Sequence, residues 1–341
     1  MEEFLTNPFM ASLAVLIGGL ALVAGGELLV RGATKIALGL RVPPLIVGLT
    51  IVALCTSAPE MAVSFSSVLR GDPSVADVAL GNVVGSNICN ILLILGVCAI
   101  IRPLASPEAI VKRDAPVNVV LALVTLVVVF LTRNPAGGFA LPRSFGFALL
   151  LAFVVYEIVL IRQARRGQAA QNGDVAEKTD PTSNDNSSTV RVNWLLAIVQ
   201  TLLGLLLLVV GARGFVDGAV SIARTLHVSE LVIGLTLVAI GTSLPELTVS
   251  AVATFRNQVD VALGNVMGSN VCNLMLVLGG TLALTPGDMP VQNQSAYVDL
   301  PVMLAASAIA AWFCLTGRKL ERWEGALLLA GEVGYAAYLV L

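Results

Sequence analysis

Long apolar runs interrupted at short intervals by polar residues dominate the chain, and ten of them can be separated. They run at about 9–38, 43–69, 74–100, 114–132, 142–163, 192–224, 229–255, 260–284, 296–316 and 322–341. Several exceed the roughly 20 residues that a helix needs to cross a bilayer. Leu and Val fill stretches such as 119–131 and 195–211. Val favours strands in water, but in lipid a helix satisfies all its own backbone hydrogen bonds, so the pattern predicts helices. One stretch breaks the pattern. Residues 163–191 are rich in Asn, Asp, Ser and Thr and have no apolar face, which predicts a flexible linker between five helices and five. Because five is odd, the second set must enter the membrane from the opposite side. The expected fold is all-α and integral to the membrane: ten transmembrane helices in two inverted five-helix repeats, 1–162 and 192–341.

The apolar pattern also repeats itself residue by residue. GLTIVALCTSAPE at 48–60 returns as GLTLVAIGTSLPE at 234–246, and VALGNVVGSNICNILLILG at 78–96 returns as VALGNVMGSNVCNLMLVLG at 261–279. The first motif recurs after 186 positions and the second after 183, so order and spacing are kept across 48–96 and 234–279. Asp114-Ala-Pro116 is answered by Asp299-Leu-Pro301, which extends the duplication over most of the chain.

Each copy sets one carboxylate in lipid-grade sequence. A carboxylate near the bilayer centre costs about 3 kcal/mol on insertion scales, so Glu60 and Glu246 require compensation. The basic residues fall at predicted helix ends, which leaves a bound inorganic cation as the economical partner. Ser57 and Thr56 precede Glu60 by three and four positions and share its helical face; Ser243 and Thr242 stand likewise before Glu246. On the next helix Ser86 and Asn90 are four apart, as are Ser269 and Asn273. Carboxylate, hydroxyl and amide oxygens suit hard ions such as Ca²⁺ and Na⁺, while the lack of His or Cys at these polar positions argues against zinc or copper. Pro59 and Pro245 each lack an N–H and clash with the preceding turn, so breaks are expected around Thr56 and Thr242, freeing carbonyls at matching places in the two halves. Gly81, Gly85, Gly264 and Gly268 allow close helix contact. Asn82, Asn87, Asn265 and Asn270 lie off the Ser86–Asn90 face and are expected to bond between helices.

GTSLPE and GNVVGSNICN resemble the two repeat signatures of the cation/calcium exchanger superfamily, and the ten-helix plan resembles its prokaryotic sodium/calcium exchanger-like members. The resemblance implies exchange of Ca²⁺ for Na⁺ by alternating access at one cluster of sites. By motif position it implies ligation by Glu60, Glu246, Ser57, Ser243, Ser86, Ser269, Asn90 and Asn273, with Thr56, Thr242 and the carbonyls of Ala53 and Ala239. It also implies that the long helices opening each half, 9–38 and 192–224, slide against the rest. Two departures stand out. Cys55 occupies a position where the second copy has Gly241 and the family usually has glycine, and asparagine stands at both 90 and 273 where some relatives carry one aspartate. Two glutamates balance one Ca²⁺ or two Na⁺, so stoichiometry is open and proton coupling is the alternative.

Composition sharpens this picture. Hydrophobic residues make up 57% and charged residues 12% of the 341, far from a soluble globular balance, and mean hydropathy is +0.89. No basic tract suggests nucleic acid, and no obligatory protein partner or permanent cofactor is indicated. The five cysteines lie in apolar segments and read as buried thiols. With the N-terminus outside, 15 of the 20 Lys and Arg fall on inner loops and helix ends, Arg31, Lys35, Arg102 and Arg256 among them. This predicts a multi-pass protein of the inner cell membrane with both termini outside and the linker cytoplasmic. His227 is expected in a solvated outer loop, Glu27 in a structural or gate-lining role, and Asp72, Asp77 and Asp260 at helix starts or mouths. Two other classes compete: a cation channel, and an intramembrane hydrolase. The latter would want paired aspartates, so no enzyme is expected.

Overall fold

The computed structural model describes residues 7–69, 73–133, 138–178, 192–226 and 239–340, without the side chains of 73–78, 166–178 and 239–240. His227, Asp72, the Asp77 side chain, residues 234–238 of the second motif and 179–191 of the expected linker lie outside the described residues. The helices are α1 (Pro8–Leu40), α2 (Pro44–Thr56), α3 (Ala58–Leu69), α4 (Ala79–Ile101, begun at Pro73), α5 (Ile110–Leu131) and α6 (Arg143–Lys178). After the linker come α7 (Trp194–Thr225), α8 (Ala239–Thr242), α9 (Leu244–Phe255), α10 (Val259–Leu284), α11 (Ser295–Gly317) and α12 (Arg322–Val340). Among the described residues seven helices are long and apolar enough to cross a membrane, or eight if the α2–α3 pair, bent by 44°, is one span. The chain is an all-helical, multi-pass membrane protein. α6 continues its helix past residue 163 to Lys178, into the stretch expected as linker. Ala, Gln and Arg there are good helix formers, and extending an existing helix avoids the cost of nucleating one.

α1 and α7 begin alike: the side chain of Asn7 accepts from the Phe9 N–H at 2.9 Å and that of Asn193 from the Leu196 N–H at 3.0 Å. They form an antiparallel pair. A Cβ at Gly18 would lie 2.8 Å from the Gly211 carbonyl oxygen, one at Gly25 2.8 Å from that of Gly204, and one at Gly218 2.7 Å from that of Ala11. Glycines seven residues apart on each helix therefore bring the two backbones into contact, the small-residue packing that lipid favours.

Four short strands close the ends. β1 (Leu104–Ala105) pairs antiparallel with β4 (Lys319–Leu320), and β2 (Phe139–Leu141) with β3 (Met289–Val291). Each pair joins one strand before the linker to one after it. The apolar interior falls into two clusters. The larger contains Leu80, Ile88, Ile94, Leu263 and Leu278. The smaller lies against α1 and includes Leu29, Val30, Val249 and Ala253.

π-helical turns recur at Asn90–Leu95 and Cys272–Val277, and again at Ile110–Asp114 and Ser295–Asp299. The latter two immediately precede Pro116 and Pro301, whose missing N–H leaves the α pattern a donor short.

Candidate cation site at the helix breaks

The break between α2 and α3 falls at Ser57 (φ −78°, ψ 4°) and that between α8 and α9 at Ser243 (φ −89°, ψ 4°). This is one residue beyond the threonines and two before the prolines, near the expected place. The Ala53 carbonyl accepts the Ser57 N–H at 2.9 Å, so it is not freed by the break as expected, although a second lone pair remains with the Thr56 hydroxyl 3.3 Å away. Ala239 opens α8, and only its backbone is described.

Both carboxylates are fully buried. Among the described residues neither has an ion pair with Lys, Arg or His. A hydroxyl of the other copy serves Glu246, and one of its own copy serves Glu60. Ser57 donates to Glu246 Oε1 at 3.3 Å, Ser86 donates to Glu60 Oε1 at 3.4 Å, and Ser243 lies 3.4 Å from Ser86. Thr56 donates to Asn265 Oδ1 at 3.1 Å and stands 3.4 Å from Ser269, beside the Glu246 carboxyl. Asn90 donates through Nδ2 to Asn270 Oδ1 at 2.9 Å. The bonds form separate groups: Glu60 with Ser86 and Ser243, Glu246 with Ser57, Thr56 with Asn265 and Ser269, and Asn90 with Asn270, with Thr242 beside the second break.

Four oxygens of the expected ligands have no hydrogen-bond partner, Glu60 Oε2, Glu246 Oε2, Asn90 Oδ1 and Asn273 Oδ1, as do Asn87 Oδ1, Asn118 Oδ1 and Glu332 Oε2 elsewhere. Leaving a buried polar atom unpaired costs about 1–3 kcal/mol, more for a charged one, so four acceptors together call for a cation. Asn273 Nδ2 is unpaired as well, and being a donor it would not bind a cation. No group of three or more His, Cys, Asp or Glu that could hold a metal occurs among the described residues. Two carboxylates with neutral oxygens suit hard cations.

Of the four off-face asparagines, Asn82, Asn265 and Asn270 bond between helices as expected, whereas the Asn87 side chain donates to the Val83 carbonyl of its own helix at 2.7 Å. Asn82 donates to the Glu60 carbonyl at 3.2 Å and to Ser64 Oγ at 3.0 Å; Asn265 donates to the Glu246 carbonyl at 3.4 Å and to Ser250 Oγ at 2.9 Å. Ser64 and Ser250 are fully buried supports missed in the sequence, although each stands four residues after its glutamate in both copies. Missed too were two tyrosine clasps. Tyr156 donates to Asp114 at 2.9 Å and Tyr335 to Asp299 at 3.0 Å, tying α6 to α5 and α12 to α11. Asp260 sits in the first turn of α10, whose N-cap is Gln258, so it favours the helix dipole without capping.

A cavity of about 600 Å³ reaches the second break, lined by Pro59, Ala62, Arg213, Asp217, Thr242 and Pro245 among others.

A helical membrane protein with two buried carboxylates, two bare buried amide oxygens and a cavity bordering the helix breaks belongs to the class of membrane ion transporters. The profile described as "Sodium/calcium exchanger protein" matches residues 10–162 and 196–341, and the chain belongs to that family. It is 36% identical to "Putative antiporter CaxA" of Alkalimonas amylolytica over 96% of this chain and 97% of that one. It is 34% identical to "Sodium/calcium exchanger MaX1" of Methanosarcina acetivorans, again over 96% and 97%. Against "Inner membrane protein YrbG" of Escherichia coli the identity is 33%, over 97% of each. The structure of the sodium-calcium exchanger NCX_Mj soaked with Na⁺ and Sr²⁺ superposes with a TM-score of 0.77 at 30% identity, over 97% of this chain and 99% of that one. The protein is a cation antiporter of the membrane, not an enzyme.

Proposed function

We propose that the protein exchanges Ca²⁺ for Na⁺ by alternating access, with both ions as transported substrates competing for one cluster of ligands. The charged ligands are Glu60 and Glu246. The neutral oxygens come from Ser57, Ser86, Asn90, Ser243, Ser269 and Asn273, with Thr56, Thr242, Ala53 and Ala239 at the breaks. The observation that carries this reading is the set of four buried oxygens without partners, two from each copy of the motif. Two carboxylates neutralise one Ca²⁺ or two Na⁺.

The proposed architecture is ten spans in two inverted repeats, 1–162 and 192–341, joined by 163–191. Three features support it: the antiparallel α1–α7 pair, the reciprocal strand pairs, and π turns recurring at matching positions. Positive charge on the predicted inner loops supports an inner-membrane location with both termini outside and the linker in the cytoplasm.

Proteoliposomes under clamped voltage provide the test. An inward Na⁺ gradient is expected to accelerate Ca²⁺ extrusion at least tenfold over a K⁺ or pH gradient of equal size. Extrusion that responds to the pH gradient and ignores Na⁺ would overturn the Na⁺ assignment in favour of H⁺. Ca²⁺ conductance without countertransport would overturn exchange itself.

A further inference from the structure

The two ends of the α1–α7 pair differ. Beyond Gly211, toward Pro8, Arg213 and Asp217 border the cavity that reaches the second break. In the other direction, toward Leu40, α1 is sealed against α9. A Cβ at Gly26 would lie 3.1 Å from Thr248 Cγ2 and 3.4 Å from Val252 Cγ2, and Val30 packs in the same apolar cluster as Val249 and Ala253. That cluster is distinct from the main interior, and the α1–α9 seam runs through it.

Polar bonds cross this seam. Arg256, at the end of α9, grips Glu27 on α1 with both arms of its guanidinium, Nε to Oε2 at 3.0 Å and Nη2 to Oε1 at 2.5 Å. Two helical turns further the Thr34 hydroxyl lies 2.9 Å from Gln258 Oε1 and 2.8 Å from the Val30 carbonyl, its one proton shared between them. The turn that carries Arg256 and Gln258 has Asn257 in the left-handed region (φ 61°), and Arg102 at the end of α4 donates to the Asn257 side chain. A continuous strap therefore runs from α1 through the turn to α4. Arg31 also pairs with Glu27, but from α1 itself, so it orients the carboxylate without spanning the seam. At the repeat-equivalent positions of α7 the charges are reversed, with Arg213 for Glu27 and Asp217 for Arg31. The cavity end therefore does not duplicate this clasp.

We infer that the Glu27–Arg256 pair, with Thr34–Gln258, is a clasp that holds the Leu40 end of the site shut and must part before ions can pass that way. This rests on the alternating-access reading above. A bidentate Arg–carboxylate pair gives a sharply defined closed geometry, and parting it exposes two charges to water that can solvate both, so the clasp can reopen.

The test uses the full chain in proteoliposomes with Thr248→Cys as a reporter in the seam, labelled by a water-soluble maleimide and read by mass spectrometry at each cysteine. Glu27→Gln and Arg256→Gln are each expected to speed labelling at 248 at least threefold. The exchanged pair Glu27→Arg with Arg256→Glu is expected to return it to within about twofold of the reporter alone. Cys314, buried in the main interior, is expected to label no faster in any variant. An unchanged rate at 248 in either single variant, an exchanged pair that stays fast, or parallel acceleration at Cys314 would each overturn the clasp. The labelling rate does not depend on which ion is coupled, so a failure of the Na⁺ assignment leaves this outcome readable.

Discussion

The helix breaks at Ser57 and Ser243 are copies of one another, yet their surroundings differ. At the first, Cys55 fits as a half-buried thiol two residues before the break. At the second, the equivalent residue is Gly241, where a Cβ would sit 2.6 Å from Val216 Cγ2 on α7, and the adjoining space opens into the cavity. Near-identical motifs thus meet their neighbours differently: Gly241 backs directly onto Val216, whereas Cys55 keeps a half-exposed thiol. The cavity borders both breaks, through Ala58 and Pro59 at the first and Thr242 and Pro245 at the second, while Glu60 and Glu246 stay fully buried.

The sharpest way to break the comparison is to remove one carboxylate at a time. Glu60→Gln and Glu246→Gln keep the shape and remove the charge; each is expected to lower Ca²⁺ flux in proteoliposomes more than 100-fold, because one remaining negative charge no longer balances Ca²⁺. A site belonging to one copy alone would show a large loss in one variant only.

The tyrosine clasps come next. Asp114 is fully buried and also pairs with Arg113, Nε to Oδ1 at 2.6 Å, whereas Asp299 has the neutral partners Ser295 and Tyr335. Asp114→Asn leaves a guanidinium uncompensated and is expected to cost about 3 kcal/mol. Asp299→Asn should cost about 1 kcal/mol, both read as unfolding free energies in detergent.

Exchanging the residues that differ between the breaks tests the flanks directly. Gly241→Cys is expected to destabilise by about 2 kcal/mol through overpacking against Val216. Cys55→Gly should cost about 1 kcal/mol, mostly through the lost packing of the half-buried thiol, with about 0.3 kcal/mol from helix propensity. Paired thermal melts separate the two.

The smallest expected difference lies between the asparagines. Asn90 holds Asn270 through Nδ2, whereas both polar atoms of Asn273 are unpaired. Asn90→Ala should lower both stability, by about 1 kcal/mol, and Ca²⁺ affinity. Asn273→Ala should lower Ca²⁺ affinity about tenfold while leaving the melting temperature unchanged or raised, since no protein hydrogen bond is lost.

Much of the site was legible because intramembrane polar residues have few alternatives to function. Glu60, Ser86 and Asn90 stood out against apolar sequence, and their recurrence in the second copy removed chance as an explanation. Pro59 and Pro245 announced the breaks through a donor that is chemically missing. Ser64 and Ser250 were harder to see, since a buried hydroxyl four residues from a glutamate looks like any small packing residue until Asn82 and Asn265 are seen to reach it. The Tyr156 and Tyr335 clasps depend on which faces of α6 and α12 turn inward, which apolar composition does not encode when lipid and protein interior are equally greasy.

By itself the sequence determined a helical membrane protein, the duplication, the two buried carboxylates and the hardness of the cation they suit, because these follow from residue chemistry and from spacing along one helix. Tertiary structure alone decided which oxygens lack partners, that Ser57 serves the glutamate of the other copy, and that α1 is clasped to α9 at one end while a cavity opens at the other. Those are relations between segments far apart in the chain, set by how helices pack across the repeat, and two near-identical motifs cannot specify that they will be packed differently.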